Sequence, residues 1–384
     1  SVNSPIRGMR TGLNATTQLI ADRAAGSLGD EKGAAQMIMF TDSRDDAADV
    51  AAGLELNHFR DLMRQLLFQV LADDSGYSLD QVRDIVSRYQ QAKQLDPDEQ
   101  EFIKRLTQSH SLVFAAFVME ATGAAQDVHT QQIKEYEQKH LNPGVMSWPV
   151  LLHKIESRLL KLGINPGGPE ASKRQEKNEP WWRYFDPPVT GLWEPLDANI
   201  SKDFKEILRR DLSKYVAGAI FDRGGRDLES IGVAYIAPAG EHAGKLGMTP
   251  EQARGYLSNV LRILGQRKFY EGSGKKVTTT SIPGPLKRYL EKVSGRTSRN
   301  PSELTETTRS ILKEQGIIND NWIIKTANNA GLKLDIHSTS SSELKRCNSC
   351  SLGSINTPFE VCTEPHCETA GFSSAPTGDE DYYR

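Results

Sequence analysis

The sequence predicts a mainly α-helical chain with a small α/β part, built from several modules in line. Three observations predict it. Apolar residues recur at three- and four-residue spacing over long stretches, strand-like runs are few and short, and all four cysteines fall between residues 347 and 367 of a 384-residue chain. The length allows two or three domains with cores of their own. No apolar run approaches the roughly eighteen residues that a membrane span needs, so no membrane partner is expected. The opening residues SVNSPIRGMRTGLNATT carry no apolar signal core, which makes a cytoplasmic setting the expectation. A net charge of −3 gives no global pull towards nucleic acid, so such contacts must come from a local patch.

The first module, residues 1–56, begins with an amphipathic stretch over 16–25 and turn chemistry at Gly26, Gly29 and Gly33. Met37, Ile38, Met39 and Phe40 then form an apolar run without alternation, which suits a strand covered on both faces. Thr41, Asp42 and Ser43 place hydroxyls and a carboxylate at the carboxyl end of that strand. The next helix begins there, and its free N–H groups favour phosphate or capping side chains.

Residues 57–165 read as a helical domain. Its stripes are Phe59, Leu62, Met63, Leu66, Leu67 and Val70, then Leu79, Val82, Ile85 and Val86, then Phe102, Ile103 and Leu106, and finally Ile155, Leu159 and Leu160. Breaks fall at Asp96-Pro97 and Asn142-Pro143-Gly144.

In the third module, residues 166–245, a loop through LGINPGGP (162–169) leads to Trp181, Trp182, Tyr184, Phe185 and Trp193. This aromatic cluster reads either as a core or interdomain anchor or as a platform for stacking nucleobases. A long helix follows, with Phe204, Ile207, Leu208, Leu212, Tyr215, Val216, Ala219 and Ile220 on its apolar face, and it stops at Arg223-Gly224-Gly225. Residues 228–236 alternate enough to predict a strand.

Residues 246–338 predict helices followed by a hairpin, a winged-helix-like arrangement. Thr249, Pro250 and Gln252 form a capping-box start, and Asn300-Pro301 opens a second helix that Gly316 ends. Ile317-Ile318, a turn at 319–321 and Trp322-Ile323-Ile324 read as the hairpin, with 332–336 as a third strand. Between the helices, residues 272–299 carry Lys275, Lys276, Lys287, Arg288, Lys292, Arg296 and Arg299 against Glu291 alone among the acids. They read as a flexible basic loop around a short helix near 285–293. It is either solvated or in contact with a phosphate backbone, and Lys275, Lys276, Lys287 and Arg288 are the candidate contacts.

The last module, residues 339–384, holds Cys347 and Cys350, an eleven-residue gap, and Cys362 and Cys367. A C-x2-C turn presents two sulfurs to one ion and the intervening loop returns a second pair, so the pattern predicts zinc on Cys347, Cys350, Cys362 and Cys367. His366 is an alternative to Cys367, and free thiols or two disulfides are the alternatives to a metal. A closed four-ligand site has no open position for water, so its role is structural. No phosphate loop of the form G-x-x-x-x-G-K-[ST], no G-x-S-x-G elbow and no H-E-x-x-H pair occurs, and no catalytic residue is nominated.

The string Phe40-Thr41-Asp42-Ser43-Arg44-Asp45-Asp46-Ala47 resembles the F-x-x-S-R-x-x-A-like motif IV in the second RecA-like domain of superfamily 2 (DEAD/DEAH-type) helicases. Residues 36–56 are similar to its version in the large bacterial anti-phage helicases of the DISARM and Druantia kind. Three further stretches are similar in the same order: LGINPGGP with its downstream Trp pair, residues 208–235 ending RGGRDLESIGVAY, and the cysteine quartet. The resemblance implies that residues 1–56 belong to a partial RecA-like lobe and that the remainder is an insertion in it. It implies contacts to a tracked strand from Thr41, Ser43 and Arg44, DNA as single strand or duplex, and other defence-system proteins as partners. ATP and magnesium would serve only the intact enzyme, because Walker A, Walker B and arginine-finger motifs are expected outside this segment. The expected function is therefore a nucleic-acid-binding segment of an ATP-dependent DNA helicase or translocase. The alternative is a non-enzymatic, zinc-containing scaffold for protein–protein interaction.

Overall fold

Helices dominate the computed structural model, which describes residues 44–73, 77, 79–95, 97–140, 144–189, 191–197, 202–222, 226–326, 333–339, 344–368 and 371–374. The strand expected over 37–40 and the polar turn with Thr41 and Ser43 lie outside the described residues, and Arg44 is the first residue of α1 (Arg44–Asp73). In α1, Phe59, Met63, Leu66, Leu67, Val70 and Leu71 are buried, following the stripe read from the sequence.

Next come α2 (Leu79–Gln90), α3 (Pro97–Ser109), α4 (Ser111–Ala121) and α5 (Asp127–His140). They bury a core of their own around Val82, Ile85, Ile103, Leu106, Phe117 and Ile133, separate from the one beneath α1. The chain then returns through β1 (Val145–Ser147) into α6 (Trp148–Lys161), whose Leu151, Leu152, Ile155 and Leu159 join the main core.

After α6, the LGINPGGP loop packs against α7 (Lys202–Ile220). A Cβ on Gly167 would lie 2.3 Å from Leu208 Cδ2, and one on Gly168, at φ +94°, would lie 2.6 Å from the Tyr215 ring. Only glycine permits that approach and that conformation together. The Asn165 side chain closes the loop, accepting from the Gly167 N–H at 2.9 Å and donating to Lys173 O at 2.7 Å. A two-stranded ribbon, β2 (Gln175–Glu176) and β3 (Glu179–Pro180), precedes the aromatic cluster. There Trp181, Tyr184 and Phe185 are buried against Leu160, Phe204 and Leu208, as the anchor reading expects, while Trp182 remains 41% exposed.

The central sheet has the order β1-β5-β4 and is antiparallel throughout, with β4 at Ala234–Pro238 and β5 at Leu334–Ser338. Ile336 pairs with Met146 on one side and Ile236 on the other, and all three are buried. Asp335 and His337 alternate with them onto the opposite face. The sheet and α7 are covered by α8 (Ala243–Leu246), α9 (Pro250–Gln266), α10 (Gly284–Thr297) and α11 (Pro301–Glu314). The predicted capping box is formed: Thr249 Oγ1 accepts from the Gln252 N–H at 3.2 Å, and Gln252 Oε1 accepts from the Thr249 N–H at 3.1 Å.

The structure departs from the sequence reading in three places. Residues 228–233 form a buried turn, not the first half of a strand, because Asp227 and Glu229 are drawn inwards by a buried arginine described below. The hairpin forms no regular ladder: Ile318 bridges Ile324, which also bridges Tyr270, and the Asn319 side chain closes the turn by accepting from the Ile323 N–H at 3.0 Å. The strand expected to complete a wing becomes β5, which is paired along both edges by partners distant in sequence. Finally, the helix expected near 285–293 is present with Lys287, Arg288 and Lys292 on it, but α10 runs on to Thr297, so Arg296 is helical too and the flexible-loop reading is corrected for that residue. The chain ends its described part in a second small sheet, β7-β6-β8, with β6 at Lys345–Cys347, β7 at Gly353–Ser354 and β8 at Phe372–Ser374. Among the described residues, no helix is long and apolar enough to cross a membrane.

Candidate metal centre

Strand β6 delivers Cys347 to the start of a tight turn, closed by the Ser351 N–H donating to Cys347 O at 2.8 Å with Ser351 at φ +60°. Cys350 sits in that turn. A short helical turn at Pro358–Glu360 brings the chain back with Cys362, and the Cys367 N–H then donates to Glu364 O at 3.2 Å, folding the second pair inwards. The four Sγ atoms lie within 4.8 Å of one another, with Cys347 to Cys367 at 3.5 Å and Cys350 to Cys362 at 3.6 Å. Four sulfurs about 2.3 Å from one tetrahedral ion would stand about 3.8 Å apart, so a cluster of this size could hold a metal ion once its most distant sulfurs draw together.

The surrounding backbone favours thiolate. Burial pushes the Cys347 thiol up, but N–H groups of Cys350 and Ser349 outweigh it and bring it down to about 7. Cys362 accepts from the Glu364 N–H at 3.4 Å, the same device in the second pair. Burial first, and then the neighbouring sulfurs of Cys347 and Cys350, raise Cys362 and take Cys367 up to about 11, a cost that a bound cation reverses. His366 is exposed and accepts at Nε2 from Arg288 Nη1 at 2.9 Å, so it faces the basic helix and stands outside the sulfur cluster.

Residues to which the sequence assigned no such role hold this module to the helical core. Lys292 Nζ donates to Glu364 O at 3.0 Å and Cys367 O at 2.8 Å, and Arg267 pairs with the Glu364 carboxylate at 3.5 Å. Deeper in, Arg262 donates from Nε to Asp227 Oδ2 at 2.9 Å and from Nη2 to Ser230 Oγ and Gly353 O, both at 2.7 Å. Glu229 Oε1 in turn accepts from Ser354 Oγ and from the N–H groups of Ile355 and Asn356 at 2.9, 3.2 and 3.1 Å. The RDLES portion of the 208–235 stretch is thus a clasp for the cysteine module. Its only signal in the sequence is a charged residue, Arg262, within the otherwise apolar run of α9.

Of the predicted nucleic-acid contacts, Thr41 and Ser43 lie outside the described residues. Lys275 Nζ donates to Arg267 O at 2.9 Å and rests 3.6 Å from the Phe269 ring centroid. Lys276 is exposed in the preceding loop, Lys287 is exposed and 4.0 Å from Glu291, and Arg288 is exposed beside His366. Lys287 and Arg288 therefore share a helix with Lys292, which grips the cysteine module. Comparison with family models, with curated proteins and with solved structures finds no match to this chain.

Proposed function

We propose that this chain is a zinc-stabilised, nucleic-acid-binding segment of an ATP-dependent superfamily 2 DNA helicase or translocase of the bacterial anti-phage kind. The observation that carries the reading is the junction between α10 and the cysteine module. Lys292 and Arg288 attach the basic helix to residues 364–367, so a run with exposed Lys276, Lys287 and Arg288 adjoins the candidate metal centre. Such a concentrated positive run in a protein of net charge −3 is what binding a phosphate backbone needs. Zinc is the metal that four thiolates favour, and with no open position it would hold the module folded. In the intact enzyme, Thr41, Ser43 and Arg44 would contact the tracked strand, while ATP and magnesium would act at motifs elsewhere.

The test is fluorescence anisotropy with labelled single-stranded and duplex DNA over a range of salt. Joint replacement Lys275→Glu, Lys276→Glu, Lys287→Glu and Arg288→Glu is expected to weaken binding at least about tenfold. The salt dependence should flatten by about 0.7–0.9 for each phosphate no longer neutralised. Unchanged affinity and slope would sink the reading. Metal analysis of reduced protein should give about one zinc per chain, and a value below about half counts against the site. The rival scaffold reading draws on Leu112 and Val128, 71% and 63% exposed on the α2–α5 unit. Absence of DNA binding at any salt concentration favours it.

A further inference from the structure

A cleft of about 350 Å³ opens where α9, β4 and the cysteine module meet, lined by Tyr235, Glu251, Arg254, Lys345, Ile355 and Asn356. Its size falls at the small end of the roughly 300–1,000 Å³ of ligand sites. Its walls come from three elements that the buried clasp locks together. Asn356 donates its backbone N–H to Glu229 at 3.1 Å and its side-chain amide to Ser258 Oγ at 3.3 Å, so that wall is fixed. Tyr235 stands opposite His337 in the β4–β5 pair, their rings parallel within 1° at 4.8 Å, which holds the phenol in one plane.

The charges in the cleft are only lightly engaged. Arg254 is exposed and forms no ion pair among the described residues, and the Lys345 ammonium reaches only the Thr357 hydroxyl, at 3.5 Å. Glu251, one turn before Arg254, is the single carboxylate in the lining. An oriented aromatic ring, an apolar Ile355 and two cations within one small cleft match the chemistry of a nucleotide: a flat base to stack and an anionic phosphate to neutralise. Glu251 adds an acceptor suited to an exocyclic amino group of a base.

We propose that this cleft takes one nucleotide unit of a single-stranded nucleic acid, with its phosphate between Arg254 and Lys345 and its base against Tyr235 and Ile355. The proposal rests on the nucleic-acid reading above but concerns a different surface from the basic helix. Strand and base are thereby held at two places on either side of the cysteine module, which contributes Lys345 and Asn356 to the cleft and residues 364–367 to α10.

The full chain is irradiated with a single-stranded oligodeoxynucleotide carrying 5-iodouracil, and the cross-linked peptides are identified by mass spectrometry. Cross-linking at Tyr235 is expected. In anisotropy with the same oligonucleotide, Arg254→Glu with Lys345→Glu, and separately Tyr235→Leu, should each lose about tenfold in affinity, while Tyr235→Phe, which keeps the ring and the fold, binds as the parent does. Cross-links confined to the basic loop and α10, with both cleft variants binding normally, overturn the cleft and leave the nucleic-acid reading standing. No binding by the parent chain overturns both. Equal affinity for 5-iododeoxyuridine monophosphate alone overturns the assignment to a strand.

Discussion

At 3% exposure, Arg262 sits between Asp227 and Glu229, which are buried to 1% and 4%. Burial pulls the guanidinium pKa down, but the two carboxylates outweigh it and hold it above the ordinary arginine value. Its charge is matched on one side by Asp227, which also accepts from Gln266 at 3.1 Å, and on the other by Glu229 at 3.4 Å. Removing only the cation leaves two desolvated carboxylates without their counter-charge. Arg262→Met is therefore expected to cost about 3–5 kcal/mol in denaturant or thermal unfolding, because a broken buried pair is worse than none. Adding Asp227→Asn and Glu229→Gln should recover part of that loss. A single variant within about 1 kcal/mol of the parent would show that water reaches the site and that the clasp is weak. Gly353 belongs to the same clasp, since a Cβ there would lie 2.3 Å from Ser230 O.

Among the elements, β5 carries the clearest pH dependence. On its partly exposed face, burial pushes the Asp335 carboxyl up to about 6, while burial and the nearby Arg254 push His337 down to about 4. In the unfolded chain the two titrate near about 3.9 and 6.5. Folded Asp335 therefore holds a proton that the unfolded chain has released, and its contribution declines as pH rises from about 4 to about 6. Folded His337 refuses a proton that the unfolded chain binds, and its contribution declines as pH falls from about 6.5 to about 4. The slopes oppose each other and nearly cancel in the parent. Asp335→Asn should expose the histidine slope, with melting temperature falling on acidification through that window, and His337→Gln should expose the opposite slope. Identical pH profiles for both variants and the parent would refute the assignment. In the helices, most of the structure was already legible. The capping residues Thr249 and Asn300 start α9 and α11 as their local chemistry dictates. The partners of β5 were not legible, because β1 and β4 lie far away in sequence and an isolated apolar–polar alternation does not name its neighbour.

At the scale of the whole molecule, the two largest separate hydrophobic cores among the described residues imply two stability units. The larger joins α1, α6, α7, the central sheet and α9–α11, and the smaller is confined to α2–α5. Lys292, Arg267 and Arg262 tie the cysteine module to the larger one. Removal of metal by a chelator should therefore lower the melting temperature of the larger unit and speed hydrogen exchange in β6, β7, α9 and α10. Exchange in α2–α5 should not change. Equal acceleration in both units, or none in α9, would contradict that coupling.

By itself the sequence determined what depends on neighbours along the chain: helix stripes, capped helix starts, glycines where the 162–169 loop meets α7, and the spacing that brings Cys347, Cys350, Cys362 and Cys367 together. Such features are set within a few turns or a single loop, where residue type and spacing carry the physics. Only the tertiary structure decided the rest. It made residues 334–338 a central strand, turned Asp227 and Glu229 inwards onto Arg262, and gave Lys292 to the cysteine module. Each of these joins residues far apart along the chain, where the choice of partner follows from which surfaces the whole chain buries together.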